Sequence, residues 1–571
     1  MAITIVDFSE SGIDKLHRGR YANWPVVYIL YDGEDKSARK TLYIGETCNI
    51  FVRLKQHQLD ERRAIMKHAA IISEDSFNKS VTLDMEQELI RLCDADGNKL
   101  QNMNAGQSAS HNYYDRKRYK EMVPGIWEEL RRRKITHSDY HYIVNSDIFK
   151  FSPYTSLTDE QAEVREDIIL DILKSKEEGS DRSFVVRGGA GTGKTIMALS
   201  ILKTLLSLNN YSVEMVIDEF SSTEEISHIN KLARLLSNFG EKLDVALVVP
   251  MVSLRETLRA VAKATDIGAD KIIGPSDVVK HGEKYDILLV DESHRLAQYR
   301  NIVNRKSFKD CCKKLGMDYT VATQLDWIKA CSHYQILFYD SEQSVKKSDI
   351  DEDRFSLAVG NSIERVLTSQ MRCSGGELFI DYISSIMDCK QISRLQFDGN
   401  YDFRLYDSVS EMVEAIRTKD RELGLGRIVS GYSWKWVTKK KTPEEIKTKG
   451  LFDIEIEGNH YVWNMTDKGW ILSKGSVDQI GCIHTTQGYD LNYVGVIFGR
   501  EIDYEPKSNS IVIDKDLFFD TNVKNGTTPE ELKRFIINAY RTLMSRGIHG
   551  CYVYAYNENL RNYLRRYIDN Y

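Results

Sequence analysis

The 571-residue chain lacks the features that mark membrane and secreted proteins. It has no run of about 18 apolar residues, so we expect no transmembrane span. Its first residues, MAITIVDFSESGIDK, do not show the charged and then apolar pattern of a signal peptide. The nine cysteines contain no CxxC pair, which argues against a disulfide framework and against a structural zinc site. We therefore expect a cytoplasmic protein.

An excess of positive charge is also absent, because 78 Lys and Arg residues face 84 Asp and Glu residues and the net charge is −6. This composition does not by itself indicate nucleic-acid binding. A nucleic-acid-binding protein of such charge must concentrate its Lys and Arg residues in a groove. No repeat with a period of about 20–50 residues occurs, which excludes solenoid architectures. The length predicts about three or four structural units.

The apolar pattern changes near residue 156 and divides the chain. Beyond that point, short apolar runs alternate with helical stretches at 184–187, 245–249, 287–290, 335–339, 427–429, 494–498 and 551–556. Such runs predict an α/β fold with two parallel sheets that are covered by helices on both faces. The predicted domains are residues 156–365 and residues 366–571, the latter with a Lys-, Glu- and Trp-rich insertion over about 434–474.

The N-terminal part has a different pattern. Residues 1–115 mix short strand signals with helices and predict a small α+β domain. Residues 116–155 are interpreted as a connector, which contains a basic helical segment at 127–134 and a strand-like run at 140–144. For the basic segment, a solvated helix face is the favoured interpretation.

The strongest motif is GGAGTGKT, which begins at Gly188 and ends with Lys194 and Thr195. It follows a strand-like run and precedes helically spaced apolar residues, which is the context that a phosphate-binding loop requires. Gly188, Gly191 and Gly193 let backbone N–H groups point at phosphate oxygens, helped by the helix dipole. Lys194 would neutralise the β- and γ-phosphates, and Thr195 would bind Mg²⁺.

A second carboxylate site is predicted in YDILLVDESH, which spans residues 285–294. Four apolar residues predict a buried strand that ends at Asp291 and Glu292. Asp291 would hold Mg²⁺ through water, and Glu292 would polarise the attacking water. The alternative interpretation of an acidic pair at a strand end is a helix N-cap.

These and further motifs resemble superfamily 1 helicases, in particular the helicase-like domain shared by a bacterial family formerly of unknown function and the Schlafen proteins. The resemblance covers about residues 156–571. It implies two RecA-like parallel-sheet motor domains that use ATP and Mg²⁺ and act on nucleic acid. Among the further motifs, SLTDEQ ends at Gln161, which would contact adenine, and VVPMVSL at 248–254 would touch the nucleic-acid backbone. DSEQ runs from Asp340 to Gln343, which would couple to the phosphate. The others are SQMRCSG with Gln370 and Arg372, IHTTQGYD with Gly488, and YRTLMSRG with Arg546.

The arginines have a physical purpose in such a motor. Negative charge on the γ-phosphoryl group rises in the transition state, and a guanidinium from the facing domain stabilises it only when the cleft closes. The resemblance assigns this role to Arg372 and Arg546, with Arg541 as the alternative to Arg546. Hydrolysis would then be coupled to domain motion.

The N-terminal domain contains a second candidate site. A strand over 26–31 and its partner over 41–45 predict a hairpin that carries Tyr28 and Tyr43. In the following helix, over 48–58, Asn49, Arg53 and His57 recur every four residues and therefore share one face. Two tyrosines beside an arginine and a histidine form a plausible phosphodiester site.

This pattern resembles the GIY-YIG nucleases over about residues 22–108. The YIG element is present at residues 43–45, and of the GIY element Tyr28 is kept. The family's metal-binding glutamate matches Glu86, which shares a helix face with Leu83 and Ile90, whereas Glu88 points away. Asn102, or with less support Asn104, completes the set.

The resemblance implies a metal-dependent nuclease reaction. One Mg²⁺ on Glu86 would neutralise the scissile phosphate, and Arg53 would stabilise the pentavalent charge. Tyr28, Tyr43 or His57 would take a proton from water, and the sequence leaves the three open.

The leading hypothesis is thus an ATP-dependent nuclease-helicase on nucleic acid, with DNA favoured over RNA and no membrane partner. Such fusions resemble bacterial anti-phage machinery, which is an association rather than a mechanism. Two alternatives stay open. One is a nucleotide-operated switch that controls the nuclease without unwinding, and the other is a nuclease directed at RNA.

Overall fold

The computed structural model describes residues 2–33, 39–102, 113–155, 157–189, 191–208, 242–265, 267–300, 302, 304–340, 348–368, 373–397, 401–466, 469–486 and 489–571. No helix within these ranges is long and apolar enough to cross a membrane. The chain divides into two compact units. The first comprises Met1–Leu173, Leu199–Leu243 and Leu258–Lys271, and the second comprises Lys174–Ala198, Asp244–Thr257 and Ile272–Tyr571.

The first unit contains a five-stranded sheet in the order β1-β4-β2-β3-β5. The strands are β1 (Ala2–Asp7), β2 (Val26–Tyr31), β3 (Thr41–Thr47), β4 (His68–Ser73) and β5 (Lys99–Leu100). Neighbouring strands are antiparallel except for β3 and β5, which are parallel. The predicted hairpin of β2 and β3 is therefore confirmed.

Both faces of this sheet are covered. All six residues of the central strand β2 are buried, because its side chains alternate between the two faces. Val27 and Ile29 pack in one core with residues of α3 (Lys79–Ala95). Tyr28 and Leu30 pack in a second core with residues of α1 (Glu10–Asp14) and α2 (Ile50–Gln58). The apolar core thus positions one tyrosine of the hairpin on the α2 side.

Three further helices join the core on the α3 side, namely α4 (Arg116–Arg132), α5 (Tyr140–Val144) and α6 (Asp147–Lys150). The strand predicted at 140–144 is wrong, because this segment is α5. Asp139 begins the helix by accepting hydrogen bonds from the backbone N–H groups of His141 and Tyr142. Ile143 is buried in the core, so capping and packing outweigh the strand preference of a short aromatic and β-branched run.

The second unit contains two six-stranded sheets, and each of them is entirely parallel. The first has the order β11-β6-β10-β9-β7-β8. Its strands are β6 (Arg182–Gly188), β7 (Val245–Val248), β8 (Ile272–Ile273), β9 (Tyr285–Val290), β10 (Ser332–Tyr339) and β11 (Ile363–Leu367). The helices described in this part of the chain are α7 (Asp159–Glu177), α8 (Lys194–Leu208), α9 (Val252–Ala264), α10 (Pro275–His281), α11 (Arg305–Lys314), α12 (Gln324–Ala330) and α13 (Glu352–Val359).

The second parallel sheet has the order β16-β13-β17-β20-β12-β21. Its strands are β12 (Asp402–Leu405), β13 (Gly426–Ser430), β16 (Ile480–Gly481), β17 (Leu491–Phe498), β20 (Gly547–Ala555) and β21 (Asp569–Asn570). The helices described here are α14 (Gly376–Met387), α15 (Val409–Leu423), α16 (Pro443–Lys449), α17 (Ile483–Thr486), α18 (Thr521–Lys524), α19 (Pro529–Met544) and α20 (Glu558–Leu564). The predicted α/β fold with two parallel sheets is confirmed.

Two short hairpins accompany the second parallel sheet. One is formed by β14 (Ile454–Ile456) and β15 (Asn459–Tyr461), within the predicted insertion. The other is formed by β18 (Ile502–Glu505) and β19 (Ser510–Ile513). Ile454 and Trp463 share a buried cluster with Ile428 of β13, so the insertion region packs against the sheet through its apolar residues.

Candidate functional site

The first candidate site is the loop that connects β6 to α8, together with Lys194 and Thr195; we call residues 188–195 the nucleotide loop. Gly191 and Gly193 have φ values of 88° and 78°, a backbone conformation that favours glycine. A side chain at Gly188 would overlap the hydroxyl of Thr192. The three glycines named from the sequence are thus each required by the path of the loop, and α8 begins directly at Lys194.

Lys194 lies inside the nucleotide loop and is only 6% exposed. Its ammonium donates to the carbonyls of Gly188 and Gly189 at 2.6 and 2.7 Å. It also forms a buried ion pair with Asp340, at 3.1 Å from Oδ2. These oxygens contact the ammonium as phosphate oxygens would. An incoming phosphate would therefore compete with them for the ammonium.

Thr195 and Asp291 meet beside the loop. The Thr195 hydroxyl donates to Oδ2 of Asp291 at 2.8 Å, although the two residues are 96 positions apart. Asp291 is fully buried at the end of β9. Burial and the neighbouring charge of Glu292 together raise the pKa of its carboxyl above its usual range. A hydroxyl and a carboxylate are the oxygen donors that Mg²⁺ prefers, with its other positions left to water and phosphates, so this pair fits the ion.

Glu292 follows Asp291 and is held in an unusual conformation. Its φ of 51° and ψ of 45° lie in the left-handed region, which is uncommon for residues other than glycine and often occurs at active sites. Its Oε2 lies 3.0 Å from Nε2 of the fully buried His294. Burial opposes ionisation of Glu292, but His294 outweighs it and the pKa of the carboxyl falls below its usual range. Glu292 is therefore held as a buried carboxylate.

His294 and Asp340 were given no separate role by the sequence pattern, and their contacts could not have been read from it. His294 is part of the DESH run, and the spacing of two residues after Glu292 was the available signal. Asp340 is 146 residues away from Lys194 in the chain. Only the pairing of β6 with β10, which ends at Tyr339, brings the two together.

Gln161 is buried in the first turn of α7. Its side-chain oxygen accepts a hydrogen bond from the backbone N–H of Thr158 at 3.0 Å. Several other residues predicted for the motor lie outside the described residues, namely Gln343, Gln370, Arg372 and Gly488. Their roles therefore remain predictions.

Arg546 and Arg541, the two candidates for the last arginine, have different surroundings. Arg546 precedes β20, is 1% exposed, and donates from Nη1 to the carbonyl of Tyr489 at 3.4 Å. The Tyr489 hydroxyl is in turn hydrogen-bonded to the hydroxyl of Thr257 in α9. Arg541 instead forms an ion pair with Asp388, at the end of α14. Arg546 is thus the candidate that is linked, through Tyr489, to the part of the chain around the first parallel sheet.

The second candidate site lies in the first unit and consists of Tyr28, Tyr43, Arg53, His57 and Glu86, which we call the tyrosine–histidine cluster. The Tyr28 hydroxyl lies 2.7 Å from Nε2 of His57. Nε of Arg53 donates to the same hydroxyl at 3.3 Å. The Tyr43 ring meets the His57 ring edge-on, with centroids 4.9 Å apart. The helix α2 and the hairpin thus bring together four of the residues that the sequence singled out.

The electrostatics of this cluster keep Tyr28 and His57 neutral. Burial, together with the charges of Arg53 and Arg63, lowers the pKa of His57 to about 3. Burial also raises the pKa of the Tyr28 hydroxyl well above its usual range. Near neutral pH, an uncharged imidazole therefore shares a hydrogen bond with a protonated phenol. Arg63, whose guanidinium lies 3.8 Å from the centroid of the Tyr43 ring, was not anticipated from the sequence.

The remaining predicted residues of this site have distinct surroundings. Glu86 is half-buried on α3, and its charge contributes to the raised pKa of Tyr28. Glu88 pairs with Arg91 at 3.2 Å. Asn102 uses both polar atoms of its side chain on the backbone of Ile44, accepting at 3.0 Å and donating at 2.7 Å. Asn102 thereby fixes β3, and Asn104 lies outside the described residues. Glu86 is a carboxylate whose charge acts on Tyr28, and carboxylate oxygen is a ligand type that Mg²⁺ prefers.

Comparisons with known proteins identify the family of the larger, C-terminal part of the chain. Residues 181–557 match the Schlafen group 3 DNA/RNA helicase domain. An uncharacterized protein of Saccharomyces cerevisiae, YPL245W, is 26% identical over 413 residues, which cover 67% of this chain and 84% of that protein.

Two solved structures give weaker similarities. One is Pif1 helicase from Bacteroides in complex with ADP-AlF3 and ssDNA, with 12% identity, 71% of this chain and 94% of that chain covered, and a TM-score of 0.25. The other is a DEAD box protein from Methanococcus jannaschii, with 13% identity, 72% and 94% covered, and a TM-score of 0.21. TM-scores this low support no conclusion about fold or activity.

Proposed function

The chain belongs to the Schlafen group 3 DNA/RNA helicase domain family, and from this membership we propose that it is an ATP-hydrolysing motor that acts on nucleic acid and carries a Mg²⁺-dependent nuclease domain. The nucleotide loop supports the first half of the proposal. The observation on which it rests is the buried Lys194 ammonium, held by Gly188, Gly189 and Asp340 beside the Thr195–Asp291 pair.

Each residue of the nucleotide loop has a definable task in hydrolysis. Lys194 would transfer its hydrogen bonds from loop carbonyls to β- and γ-phosphate oxygens. Thr195 and Asp291 would hold Mg²⁺, which supplies positive charge to the phosphates when bound. Glu292, kept ionised beside His294, would orient and polarise the attacking water. Arg546, which precedes β20, would stabilise the transition state, and the helicase resemblance gives Arg372 the same role.

The test of the motor measures ATP hydrolysis with and without single-stranded DNA and RNA. The wild-type chain is expected to be stimulated severalfold by at least one of them, and Glu292→Gln is expected to bind ATP without turnover. Glu283→Gln, an exposed carboxylate just before β9, is the matched control and should behave as wild type. Absence of stimulation by every strand would contradict a motor and favour the nucleotide-operated switch.

The tyrosine–histidine cluster supports the second half of the proposal. A neutral imidazole bonded to a phenol can accept a proton from water through Tyr28, and Arg53 can stabilise the charge of a pentavalent phosphorus. Glu86 would hold the Mg²⁺, which neutralises the scissile phosphate when bound. The proposed substrate is DNA, with RNA as the alternative, and the association with anti-phage defence belongs to the same proposal.

The nuclease test uses two glutamates of one helix. Glu86→Gln is expected to abolish Mg²⁺-dependent cleavage and to leave ATP hydrolysis intact, whereas Glu88→Gln should retain both. Parallel assays on single-stranded, forked and duplex DNA and on RNA identify the substrate. Cleavage that survives Glu86→Gln would refute the metal assignment.

A further inference from the structure

A strongly basic helix lies in the chain between β9, which Asp291 follows, and β10, which Asp340 follows. This helix, α11, contains five cationic residues and one acidic residue, Asp310, within ten positions. The cations are Arg305, Lys306, Lys309, Lys313 and Lys314. In a chain with a net charge of −6, such a local excess creates a positive potential that attracts polyanions.

The apolar side of α11 anchors it to the protein, so its position is fixed. Phe308 and Cys312 are buried in a cluster with Trp327 of α12. Nζ of Lys314 donates to the carbonyl of Val279 in α10 at 2.7 Å. Because these contacts hold one side of the helix, the other side presents its cations to solvent.

A groove of about 740 Å³ runs between α10 and α11. Lys280 stands on the α10 wall, and the α11 wall carries three cations and one carboxylate, namely Arg305, Lys306, Lys314 and Asp310. Val279 and Ile302 add apolar surface to the lining. A groove with cationic walls and apolar surface suits a chain of phosphates with sugars and bases between them.

The cations of the α11 wall are not neutralised by carboxylates. Arg305 and Lys306 are exposed, and among the described residues none offers them a carboxylate within the 4.0 Å of an ion pair, while Lys280 has Asp277 at 2.8 Å. Clustered cations repel one another, and an external anion relieves this repulsion. The charge complementarity therefore points to an anionic ligand rather than to an acidic segment of the same unit.

The groove continues into a second cavity of about 360 Å³, and the two share Ile302, Asn304 and Ser307. The second cavity reaches Pro250, Val252 and Arg255. Residues 248–254 are the strand-end motif that the helicase resemblance assigns to the nucleic-acid backbone. The two cavities thus adjoin each other between that motif and the basic wall of α11.

We propose that the groove between α10 and α11 is a binding track for the phosphate backbone of a single nucleic-acid strand, which extends the contact made at residues 248–254. The proposal rests on the proposed function, because it requires a chain that binds nucleic acid. A single strand is favoured over a duplex because its sugars and bases are accessible to Val279 and Ile302.

The test compares two charge-matched double variants of the full chain. Lys280→Glu/Lys306→Glu reverses one cation on each wall of the groove. Lys174→Glu/Lys447→Glu reverses two exposed lysines of α7 and α16, neither of which lines the groove. Binding of a fluorescent oligonucleotide, in separate DNA and RNA arms, is measured at several salt concentrations.

The groove variant is expected to bind at least about tenfold more weakly. Its plot of log K against log salt should be less steep by about 1.4, since two phosphate contacts are lost. The control should keep the wild-type slope. Equal slopes for the two variants would overturn the inference while the motor stands. If the wild-type chain binds neither DNA nor RNA, the proposed function itself fails.

Lysine acetylation of the wild-type chain provides a second measurement that needs no variant. A bound oligonucleotide should protect Lys280 and Lys306 from acetylation, with mass spectrometry as the readout, and should leave Lys174 unprotected. Acetylation of Lys306 at the same rate with and without the oligonucleotide would contradict the track. Protection by an acidic polypeptide but not by nucleic acid would also contradict it.

Discussion

At the nucleotide loop the buried polar groups include the Lys194–Asp340 ion pair and the carboxyl groups of Asp291 and Glu292, whereas in the tyrosine–histidine cluster an imidazole meets a phenol and arginines lie around them. Lys194 pairs with Asp340, and Glu292 lies beside His294. In the cluster, a neutral imidazole meets a phenol, and arginines supply the charge. In the proposed mechanism, the loop exchanges Asp340 for phosphate oxygens, and the cluster moves a proton beside an anion.

Among the variants that test this difference between the two sites, Lys194→Ala is expected to have the largest effect. Loss of the ammonium should reduce ATP hydrolysis at least about 100-fold and, because Asp340 loses its buried partner, should lower the free energy of unfolding by about 3 kcal/mol. Lys194→Ala/Asp340→Asn is expected to restore stability but not turnover. Steady-state ATPase assays and thermal unfolding measure the two effects. If the double variant is as unstable as the single one, the buried pair does not act as described.

A smaller effect is expected at the neutral cluster from Gly45→Ala. Gly45 lies opposite Tyr28 in the hairpin, and an added methyl group would overlap the Tyr28 ring and hydroxyl. The displaced hydroxyl would leave His57, so cleavage should fall about tenfold or more, and overpacking should destabilise the unit by about 1–3 kcal/mol. Gly33→Ala is the control, because the added methyl meets the flexible side chain of Lys67. Equal cleavage by the two variants would show that cleavage does not depend on the Tyr28–His57 contact.

The neutral state of His57 predicts a pH dependence of stability. The unfolded state binds a proton near the ordinary histidine pKa of about 6.5, while the folded pKa is about 3. Between these values the unfolded state binds more protons, so the stability of the first unit should fall as the pH is lowered from 6.5 towards 3. The slope should reach about 1.4 kcal/mol per pH unit.

Hydrogen exchange of the β2 amides measures the opening free energy of this unit. His57→Gln should lose the slope contributed by this histidine, and His137→Gln, an exposed histidine of the same unit, should retain it. An unchanged slope in His57→Gln would mean that the imidazole is charged in the folded state, contrary to the neutral cluster.

The sequence predicted what local pattern determines. Buried parallel strands follow from apolar runs such as 184–187 and 287–290, and the path of the nucleotide loop follows from its glycines. It failed at 140–144, where capping by Asp139 makes a helix. The contact of Asp340 with Lys194 could not be predicted from the sequence, because it depends on strand order. The contact of Arg63 with Tyr43 could not be predicted either, because it depends on the segment between α2 and β4. Local spacing therefore predicted residues that the fold brings together, such as Thr195 with Asp291 and Tyr28 with His57, but not the groups that surround them.

The smallest effect is expected from a variant of Tyr489. Its hydroxyl contacts Thr257 of α9, and Tyr489 itself lies just before β17 of the second parallel sheet. Tyr489→Phe removes the hydrogen bond to Thr257 and leaves the Tyr489 carbonyl that accepts from Arg546. One hydrogen bond contributes about 0.5–1.5 kcal/mol, so stimulation of ATP hydrolysis by nucleic acid should fall about 2- to 10-fold, with unstimulated hydrolysis unchanged. Thr257→Val should match it, and the double variant should add nothing, because both remove the same bond. Additive losses would mean that Tyr489 and Thr257 act separately, and Arg546 would then need another route to the first parallel sheet.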